Sequence, residues 1–199
     1  MKKRMRTNES GIRLIKAFEG LRLKAYKCPA GIWTIGYGHT LNVFPGQVIT
    51  EQEADTLLKM DIQLYEKIIT PFIKVQVNDN QFSALVSFAY NVGPGNPKAI
   101  FKKGGLYWSD ILKELNAGNY EAAADAFLLY NKARDPKTKN IIELAGLTKR
   151  RKAERELFLT KDATPQYYEI PEMPVADLEM IPFSEHKLTI DTLKYHNLA

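Results

Sequence analysis

The chain has 199 residues, 45% of them hydrophobic and 26% charged, the proportions of an ordinary folded protein with one full domain and a modest appendage. No apolar run approaches the ~18 residues that span a bilayer, and a single cysteine, Cys28, excludes an internal disulfide framework and a Cys-cluster zinc site. The net charge of +5 is uneven: from Lys161 onward three bases stand against seven acids, so the first 160 residues carry +9, a polarity that attracts nucleic acid, anionic membrane or anionic wall polymer.

The chain opens on Lys2, Lys3, Arg4 and Arg6. Polar Thr7-Asn8-Glu9-Ser10 follows where a secretion signal needs an apolar core of ~7–15 residues. No export signal is expected, and the lone thiol fits synthesis in a reducing cytosol. Ile12, Ile15 and Phe18 then repeat every three residues, which predicts an amphipathic helix capped by Ser10 and stopped by Gly20. After Leu21–Tyr26 comes a turn cluster, Cys28-Pro29-Ala30-Gly31, and then a period-two segment. In that segment Trp33, Ile35 and Tyr37 share one bulky face, while Thr34, Gly36 and Gly38 share a nearly bare one. Val48-Ile49 is expected to add a third short strand.

From Thr50 the pattern turns helical. Thr50 with Glu53 forms a capping box, and Ala54, Leu57, Leu58, Tyr65 and Ile68 carry the stripe toward Pro71. Asn78 with Gln81 opens another helix, closed by Gly93-Pro94; shorter helices are expected over Ser109–Ala117, Asn119–Tyr130 and Thr148–Leu159. The Asn131–Ala145 stretch reads as a long charged loop. Helix, small sheet, then helical body makes an α+β arrangement with segregated layers. The stretch 161–199 holds four of the ten prolines and alternates acids with apolar residues. It is expected to be an acidic arm, separate from a 1–160 domain, that lies on its own domain or on another chain.

Glu19 ends the first helix, where the negative pole of the macrodipole and the flanking Phe18 and Leu21 favour a carboxyl that keeps its proton. A general acid needs that property; an ordinary solvated acid of a last turn fits the position too. The glycines around Thr34 leave its hydroxyl open to a ligand beside Glu19, or serve only to twist a hairpin.

The whole string Glu19-Gly20-Leu21-Arg22-Leu23-Lys24-Ala25-Tyr26-Lys27-Cys28 to Trp33-Thr34-Ile35-Gly36-Tyr37-Gly38-His39-Thr40 closely resembles the active-site segment of phage-type lysozymes (endolysins), glycoside hydrolase family 24. Phe88-Ala89-Tyr90-Asn91-Val92-Gly93, the Asn119–Ala123 run with Tyr130-Asn131-Lys132, and Gly146–Arg151 with Glu154 and Leu157-Phe158 are similar to later parts of the family. The resemblance covers about residues 10–160, in order.

It implies a lysozyme-like fold, a small antiparallel sheet lobe beside a mainly helical lobe, with the cleft between them. It also implies cleavage of the β-1,4 bond between N-acetylmuramic acid and N-acetylglucosamine in peptidoglycan, for phage-type host lysis. Glu19 matches the catalytic acid and Thr34 the residue that positions the attacking water. Cys28 stands where many members have the aspartate of the catalytic set. A thiolate beside Lys24 and Lys27 substitutes for that carboxylate, or Cys28 is a small packed side chain. His39 is expected to be structural, hydrogen-bonded to an acid and pinning the sheet to the first long helix. Arg150 or Arg151 resembles the arginine that pairs with the catalytic Glu. Tyr90, Asn91 and Tyr130 are candidates for the far cleft wall, with the two tyrosines equally placed to be core aromatics. Neither cofactor nor metal is expected, and neither nucleic acid nor membrane insertion. Because Cys28 departs from the pattern, a wall-binding module without catalysis and a lytic transglycosylase stay open as alternatives.

Overall fold

The computed structural model describes residues 5–28, 31–99, 104–135 and 138–161. The expected arm beyond Lys161 lies outside them. Helix α1 (Glu9–Glu19) is followed by strands β1 (Arg22–Lys27) and β2 (Trp33–Gly36), then helices α2 (Glu51–Ile69), α3 (Asp79–Val92), α4 (Asp110–Asn116) and α5 (Tyr120–Ala126). A second small ribbon, β3 (Lys132–Arg134) and β4 (Ile141–Glu143), precedes α6 (Ala145–Leu159). The result is the expected mixed α+β fold with its layers segregated.

Helix α3 is the axis of the large lobe. Phe82, Leu85, Phe88 and Ala89 are wholly buried, because α1, α2 and α6 all pack around this one helix. Its apolar residues run all round rather than along one stripe, as befits a helix with no solvent face. Both predicted capping boxes form: Thr50 with Glu53 at the start of α2, and Asn78 with Gln81 at the start of α3. A separate small core, made of Ala25, Ile35, Ile49 and Ala54, fastens the β1–β2 ribbon to α2.

Several local expectations are corrected. Helix α1 is capped by Asn8 rather than Ser10: the Asn8 side chain accepts from the Gly11 amide at 3.0 Å while its amide nitrogen donates to Asn80. Tertiary partners on α3 thus select the cap. Val48-Ile49 does not form a regular strand. Lys24 and Val48 make an isolated bridge, with the Ile49 amide donating to the Leu23 carbonyl. The Asn119–Tyr130 helix is cut short, since α5 ends at Ala126 and Phe127–Leu129 tightens into a 3-10 turn. Helix α6 starts three residues early, at Ala145. The stretch read as a loop holds the β3–β4 ribbon, with Lys132 opposite Glu143 and Arg134 opposite Ile141.

The bare ribbon face is also not as expected. Gly36, at φ 62°, lies against Ala54, where a Cβ would stand 3.5 Å from the alanine methyl. That glycine serves packing on α2 rather than approach by a ligand. Thr34 is only 4% exposed, and its hydroxyl donates to the Ile32 carbonyl at 3.1 Å.

Candidate active site

Glu19 is the last residue of α1, and Gly20, at φ 69°, turns the chain away with its amide donating to Lys16. A helix ending there leaves the Glu19 carboxyl at the junction of the two lobes. From α6, Arg150 donates through Nη1 to Glu19 Oε1 at 2.8 Å, through Nε to Glu154 Oε1 at 3.1 Å and through Nη2 to the Ser87 carbonyl at 3.1 Å. Its guanidinium also lies 5.7 Å from the Phe18 ring centroid. The three bonds in three directions use the fixed guanidinium fork, which no lysine reproduces. Burial works against the charge on Arg150, but the charges of Glu19 and then Glu154 outweigh it and hold the guanidinium's pKa above its ordinary value.

The choice left open between the two arginines is thereby resolved. Arg150 meets Glu19, whereas Arg151, wholly buried, donates to Asn91 Oδ1 and Glu154 Oε1, each at 3.0 Å. Glu154 is thus shared by both. Ser87 adds a hydroxyl donated to Glu154 at 2.8 Å, a contact between α3 and α6 that the sequence pattern does not reveal. The Glu154 spacing, i+4 from Arg150 and i+3 from Arg151, is the one signal for this network.

On the ribbon side, Tyr26 stands directly opposite Thr34 in the register. Burial first, then the electrostatic influence of Cys28 and Glu19, push the Tyr26 phenol's pKa up, with Arg22 opposing. One side chain is therefore in the fields of both Glu19 and Cys28 while paired with Thr34. Cys28 is buried at 8% exposure and closes its turn by accepting from the Gly31 amide and donating to Ile32. Gly38, at φ 93°, faces Glu19: a Cβ there would stand 3.5 Å from Oε2. Glycine is needed for the backbone conformation, and it keeps a side chain at that position off Oε2.

His39 Nδ1 lies 3.0 Å from Asp61 Oδ1, and Nε2 donates to the Leu41 carbonyl at 3.0 Å. Asp61 belongs to α2, so the imidazole pins the ribbon to the first long helix. With both nitrogens engaged it is not available as a base. Asp61 escaped notice in the sequence because a lone acid on an amphipathic helix carries no pattern.

The far-wall candidates separate. Tyr90 is 2% exposed, so it offers no face to a sugar. Its hydroxyl donates to the Tyr37 carbonyl at 2.8 Å, and its ring packs on Tyr65. Tyr90 thus braces the Tyr37-Gly38 turn from the helical body. Asn91 has its carbonyl engaged by Arg151. Tyr130 packs edge-on against Phe88, and its hydroxyl accepts from the Asp110 amide at 2.9 Å, so it serves the start of α4. A recess of about 900 Å³ among Met5, Lys67, Pro71, Ile73 and Val75 contains none of the candidate residues. Among the described residues no three His, Cys, Asp or Glu side chains come together as a metal site requires, and no helix is long and apolar enough to cross a membrane.

Comparison with known proteins identifies the family. The Phage lysozyme family model matches residues 16–154. The endolysin of Bacillus phage B103 is 46% identical over 162 residues, covering 80% of this chain but 56% of that protein, so the chain spans about half of that relative's length. The endolysin of Salmonella phage P22 is 41% identical, covering 78% of this chain and 99% of that protein. Among solved structures, the muramidase domain of SpmX from Asticaccaulis excentricus superposes with a TM-score of 0.70 at 35% identity, covering 79% of this chain and 100% of that domain. The chain belongs to the phage lysozyme family, the glycoside hydrolase family 24 endolysins that degrade peptidoglycan in host lysis.

Proposed function

We propose that this chain is an N-acetylmuramidase that hydrolyses the β-1,4 bond between N-acetylmuramic acid and N-acetylglucosamine, with Glu19 as general acid. The observation that carries it is the division of labour between the two oxygens of Glu19. Oε1 accepts from Arg150, while Oε2 lies on the Gly38 side, where a Cβ would stand 3.5 Å from it. Oε1 fixes the carboxyl; Oε2 is the oxygen that holds the proton and gives it to the departing glycosidic oxygen as the C–O bond breaks.

The Thr34 hydroxyl spends its proton on the Ile32 carbonyl. Its lone pairs then accept from the attacking water and hold that water's oxygen toward the anomeric carbon. Cys28 takes the position of the usual second carboxylate, where a thiolate would serve as base for the water or as counter-charge to an oxocarbenium-like transition state. Peptidoglycan outside the cell membrane is the substrate, and the 1–160 domain is the catalytic unit. Arg150 and His39 support the site from behind; Tyr90, Asn91 and Tyr130 act through packing rather than through sugar contacts.

Glu19→Gln keeps an acceptor for Arg150 and removes the transferable proton. Release of reducing ends from purified peptidoglycan is expected to fall at least ~100-fold, with the thermal unfolding midpoint little changed. Product masses should show one added water per cut rather than 1,6-anhydro ends. Near-full clearing of cell walls by the variant would overturn the assignment of Glu19.

A further inference from the structure

Between Gly20 and Thr50 there is not one acidic residue. At the chain's average frequency a stretch of that length holds about three or four, and ordinary protein surfaces intersperse both signs. The same stretch carries Arg22, Lys24 and Lys27, all on β1 and all exposed. Some cations elsewhere are partnered: Lys16 reaches Asp55 at 2.7 Å and Arg155 reaches Asp125 at 2.7 Å. Among the described residues no carboxylate pairs with any of the three on β1. Two of them lie instead against aromatic rings. The Arg22 guanidinium is 5.7 Å from the Tyr26 centroid and the Lys27 ammonium 5.5 Å from that of Trp33. Tyr26 is itself 39% exposed.

The placement of this surface points to its occupant. Arg22 is opposite Gly36 and Tyr26 is opposite Thr34, and residues directly opposed across an antiparallel pair project from the same side. Arg22, over the Tyr26 ring, therefore lies on the ribbon side that bears Thr34, whereas Lys27, opposite Trp33, projects from the other side. Whatever covers Arg22 and Tyr26 is continuous with what lies against Thr34.

We propose that Arg22, over Tyr26, together with Lys24 and Lys27 along the same strand, binds the carboxylates of the peptide stems carried by the glycan strand in the cleft. This inference rests on the muramidase reading above. The surface takes an anionic peptide rather than bare sugar: unpartnered cations fixed beside aromatic rings provide charge-assisted bonds to carboxylates and apolar contact for the stem backbone. It makes the small lobe a determinant of substrate choice as well as a wall of the cleft.

The test is a charge cycle on the full chain. One arm compares wild type with the R22Q/K24Q/K27Q triple variant, with K24Q alone as a member that disturbs no ring contact. The other compares purified peptidoglycan, freed of phosphate-bearing wall polymers, with the same material after its stem carboxylates have been converted to amides. The triple variant is expected to lose about tenfold in kcat/KM on the native material, chiefly through KM, with K24Q losing a smaller part. Wild type is expected to lose a similar factor on the amidated material. Combining both changes should cost little more than either alone, since neighbouring partners are not additive. High salt should erase the difference between the enzymes on native material.

If the two losses multiply, or the triple variant loses nothing, the inference is wrong. It is equally wrong if the loss appears only on walls that retain phosphate polymer, which would make that polymer the partner. If wild type cuts neither material, the muramidase reading itself fails, and near-ultraviolet circular dichroism separates either result from misfolding.

Discussion

Replacing Arg150 with methionine tests the network behind Glu19 most directly. The substitution roughly preserves the length of the stem and removes the three donors that hold Glu19, Glu154 and the Ser87 carbonyl. Breaking a buried ion pair by removing one partner costs on the order of 3–5 kcal/mol when a charge is left uncompensated. Here the compensation is partial. Glu154 keeps Arg151, with Nε and Oε2 2.7 Å apart, and the Glu19 side chain, 18% exposed, still reaches water. What is lost is two hydrogen bonds to charged groups, one to a carbonyl, and the contact with Phe18.

A cost of about 2–4 kcal/mol follows, which for a domain of this size lowers the melting temperature by about 4–16 °C. Because the same change frees Glu19, kcat should fall more than the stability loss alone explains when assayed well below the melting transition. Arg150→Lys, which restores charge without the fork, should recover less than half of either loss. The measurements are urea unfolding and reducing-end release at a common temperature. Unfolding of Arg150→Met within ~0.5 kcal/mol of wild type would refute the network's role in tying α1 and α3 to α6.

Two further outcomes test other parts of the fold. Gly11→Ala should destabilise by about 1–2 kcal/mol despite the ~1 kcal/mol gain in helix propensity, because the new methyl would stand 2.6 Å from Ser83 Cβ and 2.8 Å from Thr7 Cγ2; an unchanged or raised unfolding midpoint would show that α1 and α3 have room to part. The Thr50 amide, and then its hydroxyl, hydrogen-bonds Glu53 and holds its carboxyl below the ordinary value of 4.5. A group whose pKa is lower folded than unfolded contributes stability that is fully present above the unfolded value and lost as pH falls through the folded one. The gap between wild type and Glu53→Gln in urea unfolding should therefore be open at neutral pH and close at the acid end; a gap that widens on acidification would contradict the capping geometry.

Some of this molecule was legible in one dimension because its causes are local. Two capping boxes, the glycine that stops α1 and the period-two ribbon depend on residues within a few positions of one another, so Thr50 with Glu53 and Asn78 with Gln81 announced their helices. The spacing of Glu19, Cys28 and Thr34, together with the later family-like segments, likewise carried the family resemblance and the fold that goes with it. The first cap escaped because Asn8 is selected by Asn80 and Ser83, more than seventy positions away. The β3–β4 ribbon escaped because its strands are only three residues long, too short for an alternating pattern to show.

What the tertiary structure alone decided is which of several chemically suitable groups meets which. Arg150 and Arg151 are neighbours of identical chemistry, and only the rotation of α6 against α3 sends one to Glu19 and the other to Asn91 and Glu154. Tyr90 is equally fit to stack on a sugar or to brace a turn, and its burial between α2 and the ribbon assigns it to the turn. Gly36 and Gly38 differ in the same way: packing sets the first against α2 and the second against the Glu19 carboxylate. Side-chain type restricts the chemistry a position can perform, but long-range packing chooses the partner, and that choice is made by helices whose contacts are far apart in sequence.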